Sequence, residues 1–413
     1  MLFYIDPGTG SMLFTILIGV LGAAIYGLRE VYMKLRFRLS RGKTKKENEK
    51  EAQIVIFTDS KRYWNVFEPI CDEFERRGEK LEYLTSSSDD PALKKDYTHV
   101  KSQFIGEGNK AFARLNTLRA DIVLSSTPSL DVLYWKRSRD VKWYVHIPHA
   151  ASDITIYRMF GIDYFDTILI SGDYQEEQIR KLEKLRNLPA KEIVKVGITY
   201  MDEMKKRLDA APPLPEHPTT VLLAPSWGSS GIFSVYGSSI IRGLLATGYN
   251  VIIRPHPQSY TAEKDLIEKL MAEFPADDKL EWNQDNDNFE VLRRSDIMIS
   301  DFSGVIFDFT LVFDKPVIYA DTSFNKDPYD AAWLDEELWT FSVLPKIGRQ
   351  LTRNDLDNMR SLIDSCLTDK TFIKGRDEAR LETWAYIGES AVRTVDYLLR
   401  KCLDLNQTTG KSK

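Results

Sequence analysis

Three polar clusters in this chain stand where apolar, strand-like runs end. Arg254-Pro255-His256-Pro257 closes the β-rich run 249–253, Ser300-Asp301-Phe302-Ser303-Gly304 with Asp308 closes the run 296–300, and His149 closes the run 143–147. In an extended chain, Arg254 and His256 lie two apart and point to the same side, so a guanidinium and an imidazole converge. Pro255 and Pro257 fix φ and stop a helix from starting, which makes the loop stiff. After Ser303-Gly304 the pattern turns helical over 305–313, and the free N–H groups and positive dipole end of such a helix suit an anion. Two strand ends of this kind in one domain make a crevice fit for a diphosphate.

The elements that must position these groups alternate. Runs at 53–58, 80–84, 121–125, 143–147 and 167–170 read as short buried strands, with helical stretches at 62–77, 109–118 and 175–185 between several of them. This alternation implies a parallel sheet with crossover helices. Residues 209–218, carrying Pro212, Pro213, Pro215 and Pro218, read as an interdomain linker. A second alternating set follows at 220–223, 251–254, 280–282, 296–300 and 316–319, and helical stretches at 353–366 and 377–403 close the chain. The predicted organisation is an anchor at 1–28, a basic linker at 29–50, one α/β domain at 51–208, a second at 219–375, and a C-terminal helix and tail at 376–413.

Residues 12–28 are uncharged and mostly apolar, at the short end of what crosses a bilayer as a helix, and Leu2 to Ile5 add interfacial surface. Arg29, Lys34, Arg36, Arg38, Arg41, Lys43, Lys45 and Lys46 follow, and no basic side chain precedes. The positive-inside rule then predicts a cell-membrane protein with its globular part in the cytoplasm. The charge order disfavours a cleaved signal peptide. The turn-rich Asp6-Pro7-Gly8-Thr9-Gly10 leaves a re-entrant or embedded anchor beside a single-pass one. The 413 residues, 43% of them apolar, suffice for two ordinary cores, and a net charge of −5 with mixed signs disfavours a nucleic-acid partner. Three scattered cysteines, Cys71, Cys366 and Cys402, give neither a disulfide framework nor a zinc spacing.

The motifs resemble those of the CDP-glycerol glycerophosphotransferase family, the enzymes that prime and polymerise teichoic acids. The pieces that carry the resemblance are Ile147-Pro148-His149, Leu223-Ala224-Pro225-Ser226-Trp227, Arg254-Pro255-His256-Pro257, Ser300-Asp301-Phe302-Ser303, Phe307-Asp308 and Lys315-Pro316, in this order. The chain departs from the family pattern at three points. Gly304 stands where the family usually has Ser, Gly228 where it has a basic residue, and His149-Ala150-Ala151-Ser152 where the polymerases show His-Gly-Thr-Pro.

The resemblance implies two doubly wound, Rossmann-like domains facing a cleft (a GT-B-type fold). It also implies transfer of glycerol phosphate or a related alditol phosphate from a CDP-activated donor to a hydroxyl of a lipid-linked or glycan acceptor, with release of CMP. Under it, His149 is the acceptor-side base and His256 the donor-side group on the diphosphate, while Arg254, Ser300, Ser303, Gly304, Asp308, Ser226 and Ser229 bind substrate. No cofactor and no metal are implied. The runner-up readings are another nucleotide-sugar transferase or an epimerase on the same architecture, and a membrane-tethered binding protein without catalysis.

Each assignment has a plainer rival. A His after a strand can simply satisfy local carbonyls, and Ser303-Gly304 can be an ordinary helix cap. Gly228-Ser229-Ser230-Gly231 reads equally as a diphosphate contact or a turn. His146 reads as a core or tautomer-fixing residue, and His99 and His217 as surface loop residues. Asp285-Asn286-Asp287 has the outline of an Asp-x-Asp metal motif, but with Glu290 it reads as a helix cap.

Overall fold

The structure, a computed structural model, describes residues 53–410. The anchor and basic linker expected at 1–28 and 29–50 lie outside the described residues. Among the described residues, no helix is long and apolar enough to cross a membrane.

Two parallel sheets organise the described chain. The first is seven-stranded in the order β3-β2-β1-β4-β5-β6-β7. Its strands are β1 (Ile54–Thr58), β2 (Leu81–Thr85), β3 (Val100–Phe104), β4 (Ala120–Ser125), β5 (Val141–His146), β6 (Thr167–Ile170) and β7 (Glu192–Lys195). The second is six-stranded in the order β10-β9-β8-β11-β12-β13. It uses β8 (Thr220–Leu223), β9 (Asn250–Ile253), β10 (Leu280–Trp282), β11 (Ile297–Ser300), β12 (Val317–Ala320) and β13 (Gly348–Leu351). In both sheets the chain begins in the middle, winds outward over three strands, then returns to the centre and winds the other way. Each sheet therefore has a switch point, between β1 and β4 and between β8 and β11, where such folds open a crevice beyond the carboxyl ends of the strands.

The ten expected strands all form, with ends shifted by a residue or so, and central ones such as β1, β4, β8 and β11 are buried on both faces as a parallel sheet requires. Three more strands lie at or beside sheet edges. β3 is mostly exposed, β7 is half-exposed throughout, and β13 has the polar centre Arg349-Gln350. Edge strands keep polar side chains in water, so they carry no apolar run to find.

The helical stretch expected at 377–403 is broken into Ile373–Thr383 and Ser390–Gly410. Between them, the Trp384 indole and the Ser390 amide both donate to Asp202, at 2.8 and 2.9 Å. The last helix then lies on the first half of the chain, where the Tyr397 and Thr167 hydroxyls meet at 2.6 Å and Arg77 pairs with Asp396 at 2.6 Å.

Buried carboxylates tie the two halves together. Asp330, between β12 and β13, accepts the backbone amides of Phe160 and Gly161 at 2.7 and 3.0 Å and pairs with Arg186 at 2.6 Å. The Arg186 guanidinium lies between the rings of Phe160 and Trp333. In the opposite sense, Asp153 from the first half accepts the amides of Trp339 and Thr340, both at 2.8 Å, at the start of helix Trp339–Ile347. A buried carboxylate is tolerated where several N–H groups replace its lost water, and these amides do that.

Candidate functional site

The second-half wall of the cleft is built around Asp301. Its carboxylate is 1% exposed and accepts four backbone amides: Ser226 at 3.0 Å, Ile232 at 3.1 Å, Phe302 at 2.8 Å and Ser303 at 3.2 Å. Burial pushes its pKa up, and the amides pull it back towards the ionised form. One side chain thus joins the loop after β8 to the loop after β11, on either side of the switch point. The Ser226 hydroxyl is buried beside the same carboxylate, without a hydrogen bond of good geometry. Gly228 turns the first loop at a φ of +91°, a conformation side chains resist, so a basic residue there would be strained. Ser229 is exposed at the tip of that turn.

Arg254 and His256 follow β9 and flank this platform. Arg254 donates to the Asn283 side chain at 2.6 Å and to the Asp285 carbonyl at 2.9 Å, which fixes its guanidinium, and burial lowers its pKa. His256 Nδ1 lies 3.1 Å from the Gln258 amide, which can only donate, so Nδ1 is the acceptor and Nε2 carries the proton. Burial first, then the charge of Arg62, pushes the His256 pKa down to about 4. At neutral pH it is an uncharged imidazole with its Nε2–H as a donor.

The first-half wall carries His149, after β5. Its ring packs against Tyr63 with centroids 4.9 Å apart, and its Nδ1 lies 3.3 Å from the Tyr157 hydroxyl. Burial alone pushes its pKa down to about 4, so it too is neutral and able to accept a proton near neutral pH. The walls meet. His149 contributes to the depression of the His256 pKa, and the Arg62 guanidinium lies 3.5 Å from the Pro257 carbonyl. Arg62, Tyr63 and Tyr157 had no motif to mark them. Asp59, at the end of β1, has its pKa raised by burial and is held by the Thr127 hydroxyl at 3.0 Å.

Three expectations change. Ser300, expected to bind substrate, is fully buried with its hydroxyl donating to the Ala224 carbonyl at 2.6 Å, because the last residue of a central strand turns into the sheet packing. Asp308, also expected to bind substrate, is buried against the Tyr200 hydroxyl at 2.8 Å and the Asn288 amide at 3.4 Å, and burial raises its pKa to about 6. It links the second half to the helix Thr199–Ala210. The helix expected over 305–313 is a single α-turn, Val305–Phe307, followed by a π-helical stretch, Asp308–Val312. Because the Ser303 amide is already committed to Asp301, what remains for an anion there is the Ser303 hydroxyl and the Gly304 end of the loop. Lys315 of the Lys-Pro motif donates to the carbonyls of Leu292 and Ser295, at 3.1 and 2.6 Å, and so caps the helix Phe289–Arg294. Asp287 accepts the Phe289 amide at 3.1 Å and pairs with Arg207 at 2.7 Å.

Gly304 and Ala150 touch across the cleft, and a Cβ added at residue 304 would lie 3.2 Å from the Ala150 Cβ. Where the family pattern has Gly after its histidine and Ser at position 304, this chain has Ala150 and Gly304. Both departures fall on the two residues of this one contact. Gly304→Ser should therefore crowd Ala150 and lower thermal stability, on the scale of 1–3 kcal/mol typical of overpacking. Adding Ala150→Gly should restore most of that loss, as a double-mutant cycle of unfolding midpoints would record. Additive losses would show that the contact does not couple the two positions.

The model of the family described as CDP-glycerol:poly(glycerophosphate) glycerophosphotransferase matches residues 158–332. No curated protein matches the chain. Among solved structures, the wall teichoic acid polymerase TagF, as an H444N variant with CDPG, aligns at a TM-score of 0.58 and 14% identity, covering 93% of this chain and 99% of that one. MnaA of S. aureus with UDP aligns at 0.59 and 12% identity, over 86% and 97% of the two chains. A putative UDP-N-acetylglucosamine 2-epimerase from Listeria monocytogenes aligns at 0.54 and 12%, over 84% and 95%. At such identities these likenesses establish the fold, two parallel-sheet α/β halves of the GT-B kind. The family match over residues 158–332 supports a CDP-glycerol glycerophosphotransferase-like enzyme.

Proposed function

We propose that this enzyme moves glycerol phosphate, or a related alditol phosphate, from a CDP-activated donor to a hydroxyl of a lipid-linked or glycan acceptor at the cell membrane. The acceptor oxygen attacks the distal phosphorus of the donor, its proton passes to His149 Nε2, and the bond to CMP breaks. Negative charge then grows on the departing phosphate. The His256 Nε2–H, the Arg254 guanidinium, the Ser303 hydroxyl, the Gly304 end of its loop and the mouth of the Ser226–Ser229 loop are the groups assigned to it. The observation that carries this reading is the pair of neutral histidines on facing walls, one fixed as an N–H donor and the other uncharged and able to act as a base. The basic groups neutralise the diphosphate, and the reading invokes no metal.

CMP release from CDP-glycerol and CDP-ribitol, with and without lipid-linked acceptor, tests it on membranes carrying the protein. Turnover of a UDP-sugar instead of either CDP-alditol would replace this reading with the epimerase or glycosyltransferase one. His149→Ala should abolish transfer while leaving donor affinity within about tenfold, or roughly 1.4 kcal/mol. His256→Ala should lose transfer by a factor of order 10² and weaken donor binding as well, because a diphosphate contact acts in both states. Calorimetric titration of folded variants separates the two. Equal loss of donor binding in both would reject the division of roles.

The pH dependence has a definite sign. A base is active when unprotonated, and burial holds His149 at about 4, below the ordinary 6.5, so its active form persists as pH falls through 6. kcat/KM, which reports the free enzyme, should change less than about twofold between pH 7 and 5.5. An acid limb centred near 6.5 would show that the histidine is not desolvated.

The membrane part of the proposal rests on residues 1–28 and the basic run that follows. Deleting residues 1–28 should release the enzyme from membranes at high salt, since screening removes only the electrostatic share of binding. Retention of the shortened protein would move the attachment to the globular part.

A further inference from the structure

His149 can take a proton only if the nitrogen turned away from Tyr157 is bare. Which nitrogen carries the ring proton is therefore a mechanistic question, and the groups behind the ring answer it. The Tyr157 hydroxyl lies between two imidazoles, 3.3 Å from His149 Nδ1 and 3.2 Å from His146 Nε2. It has one proton, so it donates to one ring and accepts from the other.

In the first arrangement, Tyr157 donates to His149. The proton of His149 is then on Nε2, where it blocks the base, and His146 must donate its own Nε2–H to the Tyr157 oxygen. That leaves His146 Nδ1 as a bare lone pair. This nitrogen is sealed from solvent and has no partner at good geometry, on a residue that is 0% exposed. Ser125, the residue paired with His146 on the adjacent strand β4, is the backbone neighbour that favours a proton on this ring.

The second arrangement is the one that leaves His149 able to accept a proton. In it His146 carries its proton on Nδ1. Tyr157 donates to the bare His146 Nε2, its oxygen accepts from His149 Nδ1–H, and His149 Nε2 is left free.

Tyr157 is itself held in place. Its carbonyl accepts the Asp330 amide at 2.9 Å, and Gly161 packs so closely that a Cβ there would lie 2.7 Å from the Tyr157 Cβ. The His146 ring meets Tyr157 edge-on with centroids 5.2 Å apart and Phe165 at 5.0 Å, so it has little room to turn over.

We propose that Tyr157 and His146 are positioning residues that hold His149 in the Nδ1–H tautomer and so make its Nε2 the proton acceptor. The proposal rests on His149 as the acceptor-side base. A tautomer can be measured without turnover, so the two ideas can fail separately.

The full chain has five histidines, few enough for ring-nitrogen NMR on a ¹⁵N-histidine sample, with His149→Ala and His146→Gln assigning the two signals. The wild-type His149 ring should appear as neutral Nδ1–H. Tyr157→Phe, which keeps the ring and removes only the hydroxyl, should admit the Nε2–H form. It should also lower kcat for transfer by about tenfold or more while leaving donor affinity within about twofold. His146→Gln, whose side-chain oxygen can still accept from Tyr157, should retain more kcat than His146→Leu. A wild-type His149 protonated on Nε2 would overturn the proposal, as would a Tyr157→Phe variant with unchanged tautomer and kcat. If neither CDP-alditol turns over yet the wild type shows Nδ1–H and Tyr157→Phe loses it, the relay stands and only the assigned reaction falls.

Discussion

The donor wall depends on one buried carboxylate. Asp301 gathers four backbone amides from two loops that leave the central strands β8 and β11 in different parts of the sequence. An ionised carboxylate taken out of water costs several kcal/mol unless charge-assisted hydrogen bonds replace its hydration, and here four of them do. The same bonds satisfy amides at the crevice that helix or sheet would otherwise have to pair. An apolar residue in its place would leave all four unpaired at the spot where the loops must be firm. This negative charge lies beneath a surface assigned to phosphates. Around it, Arg254 is fixed against Asn283, Arg62 reaches the Pro257 carbonyl, and His256 presents an N–H instead of a full charge.

The acceptor wall is organised differently. His149 follows a strand of the first sheet, but the tyrosine behind it is fixed by Asp330, which comes from the second half and also holds Arg186 and the amides of Phe160 and Gly161. Breaking one partner of a buried pair such as Asp330–Arg186 typically costs about 3–5 kcal/mol, because the remaining charge is stranded. Closure of the two halves and placement of the base are therefore parts of one arrangement. Both histidines have depressed pKa values because they are buried, and at His256 the Arg62 charge from the other wall adds to the effect.

Much of this was legible in the sequence, for reasons that also explain what was not. Central parallel strands are buried on both faces, so runs such as Val221-Leu222-Leu223 and Ile297-Met298-Ile299 announce themselves, and the polar residue that ends each run marks the crevice. The edge strands Val100–Phe104, Glu192–Lys195 and Gly348–Leu351 carry too little apolar patterning to announce themselves and appear only in the structure. Side-chain direction was less legible than position. Ser300 and Ser303 belong to one motif, yet Ser300 turns into the sheet while Ser303 stays at the cleft. Asp301 stood in the same motif with no role assigned, because a carboxylate that clasps distant amides has no spacing to read. Tyr157 and Arg62 escaped for a related reason: their partners lie in other elements, and only the fold brings them to the histidines.

The departures from the family pattern fit this physical frame. At residue 228, a φ of +91° makes glycine the easy choice and a basic side chain a strained one, so this loop presents backbone and hydroxyl groups in place of a cation. At residues 150 and 304 the exchange of a small and a smaller side chain preserves one contact between the walls. What changes is which wall carries the Cβ. It projects from the loop that carries His149, while the facing loop is left with bare backbone at Gly304 and without a serine hydroxyl. Arg254, His256 and Asp301 stand as in the family pattern, while the departures fall at Gly228, at the residues after His149 and at Gly304, which meets one of them across the cleft.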